Sequence, residues 1–284
     1  SAISSCCPTA LPKCSSETMP GSLSHIRVLD LSRVLAGPWA AQNLADLGAE
    51  VIKVERPGSG DDTRGWGPPW LKDGAGKDTT ESAYFLSVNR NKKSITIDIG
   101  KPEGQAILRE LALKSDVLIE NYKVGTLKRY GLAYEDLKPL NPGLVFCSVT
   151  GFGQDGPYSQ RPGYDFIFQG MGGLMSITGE RDYYPGGGPQ KVGIAITDVL
   201  TGMYASLAVA AALTHRERTG QGQYIDTALL DTIVAFNANQ IVSYFASGRI
   251  PTRWGNAHPQ VVPYEVFAVA DGHIILAVGN DGQF

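Results

Sequence analysis

Apolar and polar residues alternate with two different periods along this chain, and the change of period marks the elements. Ile26-Arg27-Val28-Leu29-Asp30-Leu31 reads as a strand, Gly37-Pro38 opens a helix through Leu47, and Gly48 stops it before a second strand at Val51-Ile52-Lys53-Val54-Glu55. This is a βαβ unit. Arg56 to Thr80 is polar and rich in Gly and Pro, which predicts a long loop. Ser94 to Ile99 alternates as a strand, Pro102 begins a helix with Ile107, Leu108 and Leu111 on one face, and Val117-Leu118-Ile119 is a further strand. Tyr134 to Leu140 reads as a short helix, and Leu144 to Val149 as a buried strand ending in Gly151-Phe152-Gly153. Beyond a polar loop from Arg181 to Lys191, Val192 to Ile196 reads as an apolar strand. Asp198 follows, then an Ala-rich helix from Val199 to about His215. Ile225 to Phe245 is apolar at close to helical spacing, and Glu265 to Val278 reads as two short strands around Asp271-Gly272. Strands alternating with helices predict an α/β fold with a mostly parallel sheet.

At 284 residues, 43% hydrophobic and 19% charged, the chain has material for one large domain or two ordinary ones, and disorder as its main state is excluded. A net charge of -3 gives no sequence-independent reason to bind nucleic acid. The most apolar stretch, Ala205 to Leu213, falls short of the roughly 18 residues of a membrane span, so no membrane partner is expected. Cys6, Cys7 and Cys14 crowd the start and Cys147 stands alone, which offers neither a disulfide framework nor metal spacing. A reducing compartment fits: the cytoplasm, or the mitochondrial matrix in a eukaryote. Residues 1–22 are Ser-, Cys- and Pro-rich and read as a disordered tail, with Met19 as a plausible start.

In open α/β sheets ligands sit beyond the carboxyl ends of the strands. Those positions here are Ser32 to Gly37, Arg56, Asp98, Asn121-Tyr122 and Gly151 to Gly153. Arg56 and Arg129 can bind phosphate, and Asn121 can hydrogen-bond a base or an amide; each serves equally as a cap or a solvated loop residue. Arg90-Asn91-Lys92-Lys93 is the strongest basic cluster, and a solvated loop accounts for it as well. Leu35-Ala36-Gly37-Pro38 stands where a dinucleotide fingerprint would be, and there is no Walker loop, so no nucleotide cofactor is expected. The four histidines show no metal-ligand spacing, and no metal is expected. Asp198, at the start of an apolar helix, is the most informative carboxylate. The helix dipole and free amides there favour an ionised nucleophile, while an ordinary N-cap explains the same placement.

Several stretches in order resemble the family III CoA-transferases, the group of formyl-CoA:oxalate and carnitine CoA-transferases and the related α-methylacyl-CoA racemases. They are Leu29 to Pro38, Gly48 to Pro57, Asn89 to Ser94, Glu120-Asn121-Tyr122 and Thr219 to Gln223. Asp61-Asp62-Thr63-Arg64, Trp66-Gly67-Pro68-Pro69 and Arg253-Trp254-Gly255 look most like the succinyl-CoA:glutarate branch. The resemblance implies a Rossmann-like large domain at 23–220, a linker helix and the start of a small domain at 221–284, and an interlocked homodimer. It also implies a fragment truncated at its C-terminus, unstable or inactive alone. By the same resemblance Val34, Leu35, Ala36 and Arg56 hold CoA, Ile97, Asp98, Ile99, Asn121 and Tyr122 flank its adenine end, and Arg129 meets phosphate. Asp198 matches the nucleophilic aspartate, and Tyr164 and Asp165 form a substrate loop. The implied substrates are acyl-CoA and small carboxylic acids, with succinyl-CoA as donor and a dicarboxylate as acceptor. A 2-methylacyl-CoA racemase is the alternative, against which Tyr164 stands where racemases carry a catalytic His. A CoA-binding protein without catalysis is the third reading. The Gly-rich loop of formyl-CoA transferase has no counterpart, since residues 253–260 read RWGNAHPQ.

Overall fold

The computed structural model describes residues 20–284; the expectations for Cys6, Cys7, Cys14, Met19 and the tail up to residue 19 lie outside the described residues. Among the described residues ten strands form: β1 Arg27–Asp30, β2 Glu50–Glu55, β3 Trp70–Lys72, β4 Asp78–Ser82, β5 Lys92–Thr96, β6 Val117–Glu120, β7 Val145–Thr150, β8 Tyr224–Ala228, β9 Tyr264–Val269 and β10 Gly272–Ala277. The helices are α1 Ala36–Asp46, α2 Ala83–Ser87, α3 Pro102–Leu113, α4 Thr126–Arg129, α5 Tyr134–Leu137, α6 Asp165–Met171, α7 Leu174–Ile177, α8 Ile196–Thr219, α9 Leu229–Phe236 and α10 Ala238–Ser247.

Six strands build one parallel sheet in the order β5-β2-β1-β6-β7-β8, the Rossmann arrangement. Strand residues point alternately to opposite faces, and the sequence uses both. Val28, Val117, Ile119, Val145, Cys147 and Val149 pack with α1 and α8 on one side. Leu29, Leu118 and Phe146 pack with Leu108 and Ala112 of α3 and with Leu127 and Leu137 on the other. Strands covered on both faces read as nearly continuous apolar runs, which is why β6 and β7 are plain in the sequence.

Several expectations change. The stretch at 225–245 is not one helix: Tyr224–Ala228 is the sixth strand of the sheet, and α9 and α10 follow. The large sheet therefore continues past residue 220. Val192 to Ala195 forms no strand: it bends at Gly193-Ile194, the Ile196 N–H closes a tight turn on the Ile194 carbonyl at 2.9 Å, β8 occupies the place beside β7, and Ile194 is exposed. The polar loop at 56–80 contains a 3-10 turn at Asp62–Gly65 and the β3–β4 hairpin. On α3 the buried face runs through Gly104, Leu108 and Ala112, with Ile107 outside. The helix expected from Val199 begins at Ile196 and runs 24 residues, which by length and composition alone is enough to cross a membrane. One face of it packs in the core, where Ala205, Val209, Ala212 and Leu213 are buried in the apolar layer shared with α1, while Met203, Tyr204 and Leu207 on the other are exposed.

Candidate active site

The sheet reverses its winding between β1 and β6, and the crevice beyond their carboxyl ends is where such a sheet binds ligands. The β1–α1 loop fills one wall of it. Asn121, at the end of β6, accepts the Arg33 N–H at 2.9 Å and donates its Nδ2 to the Arg33 carbonyl at 2.7 Å. Its amide is thus spent on the loop backbone rather than left for a base. The next residue, Val34, adopts φ 69°, a left-handed conformation that costs a β-branched residue on the order of 1–3 kcal/mol. Its N–H is held between both carboxylate oxygens of buried Asp61, each at 3.3 Å. Gly37 is required by the same fold-back, since a Cβ there would lie 2.3 Å from the Ser32 Cβ. No side chain caps α1, so the first turn of that helix presents uncapped backbone amides beside Val34 and Leu35.

The opposite wall comes from α8. Asp198 is the third residue of this helix, not its N-cap, and its carboxylate accepts no hydrogen bond among the described residues. The amides expected to serve it are taken by Asp165, whose Oδ1 accepts Thr197 N–H at 2.7 Å and Asp198 N–H at 3.3 Å. Asp165 also receives the Gln169 amide at 2.6 Å and so faces inward from the loop where it was expected to meet substrate. Burial, reinforced by the Asp165 charge, pushes the Asp198 carboxyl up to about 7. The expectation that the helix N-terminus keeps this group fully ionised is therefore corrected: near neutral pH the carboxyl is divided between its two forms.

Asp198 shares a cleft of about 250 Å³ with Val34, Leu35, Ala36, Asn121, Tyr122 and Tyr164. Arg33, Lys123 and Arg161 add positive charge to its lining. Arg56, Ile97, Asp98 and Ile99 line a second, smaller pocket. Arg33 and Tyr122 belong to both pockets, with the Arg33 guanidinium 5.9 Å from the Tyr122 ring centre, so the two form one track across the end of the sheet. Arg129 ends α4 with its guanidinium 5.9 Å from the Tyr130 ring and lines neither pocket. The track suits a long ligand with an anionic, planar end at Arg56 and a reactive end at Asp198.

Of the basic cluster at 90–93 only Lys92 is withdrawn from solvent, while Arg90 and Lys93 keep largely exposed side chains. Lys92 is buried and ion-paired with Asp30 at 2.9 Å, Lys93 meets Glu50 at 2.8 Å, and Arg90 pairs with Asp46. The sequence offered Asp165 as a cap or hydrogen-bonding group and placed Arg33 in the Ser32 to Gly37 loop, but it gave no role of their own to Arg33, Asp61 or Lys53. All three lie inside stretches that carry the family resemblance. Cys147 is buried in β7, where desolvation pushes its thiol up to about 12, and it has no means of acting as a nucleophile at neutral pH.

Residues 23–284 match the sequence family described as CoA-transferase family III. The chain is 56% identical over 262 residues to the succinate–glutarate CoA-transferase of Agrobacterium fabrum, an alignment that covers 92% of this chain and 64% of the relative. It is 49% identical to the human succinyl-CoA:glutarate CoA-transferase, covering 92% of this chain and 57% of that one. It thus spans about three fifths of the length of these curated relatives. The crystal structure of a CAIB/BAIF family protein from Brucella suis superposes with a TM-score of 0.84 at 51% identity, covering 93% of this chain and 68% of that one. With the parallel sheet, the crevice at its reversal and these likenesses together, the chain belongs to CoA-transferase family III.

Proposed function

We propose that the protein moves CoA from succinyl-CoA to a second carboxylic acid, a dicarboxylate, with Asp198 as covalent nucleophile. The observation that carries this reading is a carboxylate in an open cleft whose facing wall is the uncapped first turn of α1. Such a turn offers N–H donors to a thioester carbonyl or an anion. The names of the two glutarate CoA-transferases above support the choice of donor and acceptor.

The chemistry follows from the groups present. An Asp198 oxygen attacks the thioester carbonyl, the C–S bond breaks, and CoA leaves as thiolate, giving a mixed anhydride. The thiolate then attacks the aspartyl carbonyl, expels the donor acid as carboxylate, and leaves an aspartyl-CoA thioester. The acceptor carboxylate attacks that thioester and repeats the steps in reverse, restoring Asp198 and releasing the new acyl-CoA. One thioester is spent and one is made, so the balance closes without ATP. In this reading the enzyme works as a homodimer in the cytoplasm, or in the mitochondrial matrix of a eukaryote.

Asp198→Asn is expected to lower exchange of label between succinyl-CoA and free glutarate by about a thousandfold or more. Hydroxylamine is expected to trap the aspartyl thioester in the parent protein and not in the variant. Undiminished exchange in Asp198→Asn overturns the reading. A racemase would instead wash deuterium into Cα of a 2-methylacyl-CoA, and Tyr164 leaves that reaction without its second base.

A further inference from the structure

Beneath the β1–α1 loop lies a set of charged groups that the chemistry above does not use. Lys53, on β2, is 1% exposed; its Nζ donates to the Ser32 carbonyl at 2.9 Å and pairs with Asp61 at 2.9 Å. Asp61 is equally buried and takes the Val34 N–H on one side and the Thr63 N–H and hydroxyl, at 3.0 and 2.8 Å, on the other. Its own N–H is held by Glu55 at 2.8 Å, and Glu55 is clasped by Arg64 through two bonds of 2.6 and 2.8 Å. A parallel chain runs from Lys92 to Asp30 and on to the Ser32 N–H at 3.0 Å, while Lys92 also donates to the Pro38 carbonyl at 2.9 Å.

Charges this deeply buried survive only when paired and fully hydrogen-bonded, and apolar residues of similar size would stabilise a sheet at least as well. What the pairs supply is direction. Among the described residues, the groups that bond the loop backbone from Ser32 to Val34 are Asp30, Lys53, Asn121 and Asp61. The left-handed turn at Val34 is unfavourable for that residue, and such a conformation persists only where its surroundings over-determine it.

We propose that Lys53 and Asp61 are a positioning pair that pre-forms the Val34 turn and thereby sets the uncapped first turn of α1 toward the CoA thioester. This rests on reading the cleft as the CoA site. Lys53 lines neither pocket, and Asp61, 1% exposed, reaches only the wall of the smaller one; the pair acts through the Val34 N–H and the Ser32 carbonyl. A preformed loop spares the ligand the cost of ordering it, so the pair governs affinity more than the chemical step.

The test combines hydrogen exchange at the Val34–Gly37 segment with calorimetric titration of CoA on the purified chain. Asp61→Asn is expected to speed exchange at Val34 by about tenfold or more, with protection in β6 and β7 unchanged, and to weaken CoA binding by about tenfold. Adding Val34→Gly to Asp61→Asn is expected to recover part of the lost affinity, because glycine adopts this turn without restraint. A general loss of protection in Asp61→Asn would not produce such rescue. Should that variant fail to fold, Lys53→Met with Asp61→Leu, which removes both buried charges together, gives the same comparison with and without Val34→Gly. Unchanged exchange at Val34, or no recovery with glycine, overturns the proposal. Faster exchange at Val34 in Asp61→Asn, where the parent chain itself binds no CoA, keeps the positioning pair and refutes the CoA reading.

Discussion

In the proposed mechanism Asp198 meets two opposite demands: a nucleophile must be ionised, and a water-labile anhydride needs a sheltered site, whose burial favours the neutral acid. In the free protein the result is a carboxyl at about 7, raised first by burial and then by Asp165. The rate at low substrate is therefore expected to climb with pH through an apparent value near 7, since deprotonation makes the nucleophile. Asp165→Asn keeps an oxygen for the Thr197 amide but removes the like charge, so the climb is expected at lower pH; a pH–rate profile of the two proteins checks this. Glu120 offers a separate reading of the same physics. It is buried at the end of β6, where desolvation lifts it from 4.5 to about 7 against the opposing hydrogen bonds from Ser148 and the Tyr122 amide. A carboxyl whose folded value exceeds its unfolded one costs stability as pH rises from about 4.5 to about 7. That cost is at most about 3 kcal/mol above pH 7. Glu120→Gln should flatten this decline in thermal midpoints measured from pH 5 to 8, and an unchanged decline would refute the assignment. The position of Asp198 was legible in the sequence because a carboxylate heading an apolar helix is conspicuous. The part played by Asp165 was not, since it arises from a contact 32 residues away.

Among the elements, α1 and α8 decide where the cleft walls stand. Gly202 lies one turn beyond Asp198, and a Cβ there would sit 2.6 Å from the Ala36 carbonyl oxygen and 2.9 Å from the Trp39 Cβ. The α8 backbone thus rests directly on the start of α1, which holds Asp198 and Ala36 within one cleft. Gly202→Ala is expected to cost about 1–3 kcal/mol in denaturant unfolding and to slow exchange between acid pools, because the helices must separate. The same scale shows what sequence pattern reaches and what it does not. Gly37-Pro38 and Gly48 bracketed α1 through local chemistry, and β6 and β7 declared themselves as apolar runs. The β8 strand escaped notice because Ala228 passes directly into α9 with no turn residue between them. The β3–β4 hairpin was hidden by its polar strands, of which Asp78–Ser82 carries no large apolar residue.

At the scale of the whole molecule, burial is uneven. The β6 and β7 strands lie in the middle of two apolar layers, whereas α10 buries none of its residues and β10 is exposed at all six. Hydrogen exchange on this chain is expected to be slowest in β1, β6 and β7 and fastest across residues 238–284, an order that mass spectrometry of peptides can read. Val242, Phe245, Ile250, Val262 and Ile275 are exposed apolar residues, and sedimentation at rising concentration would detect whether the proposed homodimer forms.

The order of strands in the sheet also dictates an order in time. During synthesis β1 can pair with β2 once Glu55 has emerged, but its other edge stays open until β6 is made, some 90 residues after β1 itself. The outer edge of β7 waits longer still, for Tyr224–Ala228, while α8 has already been made and can dock on α1. Asp198, on α8, is therefore made before the last strand of the sheet behind it. A nascent chain halted within α8 carries an unpaired, apolar β7 edge, and that intermediate is the one most exposed to wrong pairing with its neighbours on the same message.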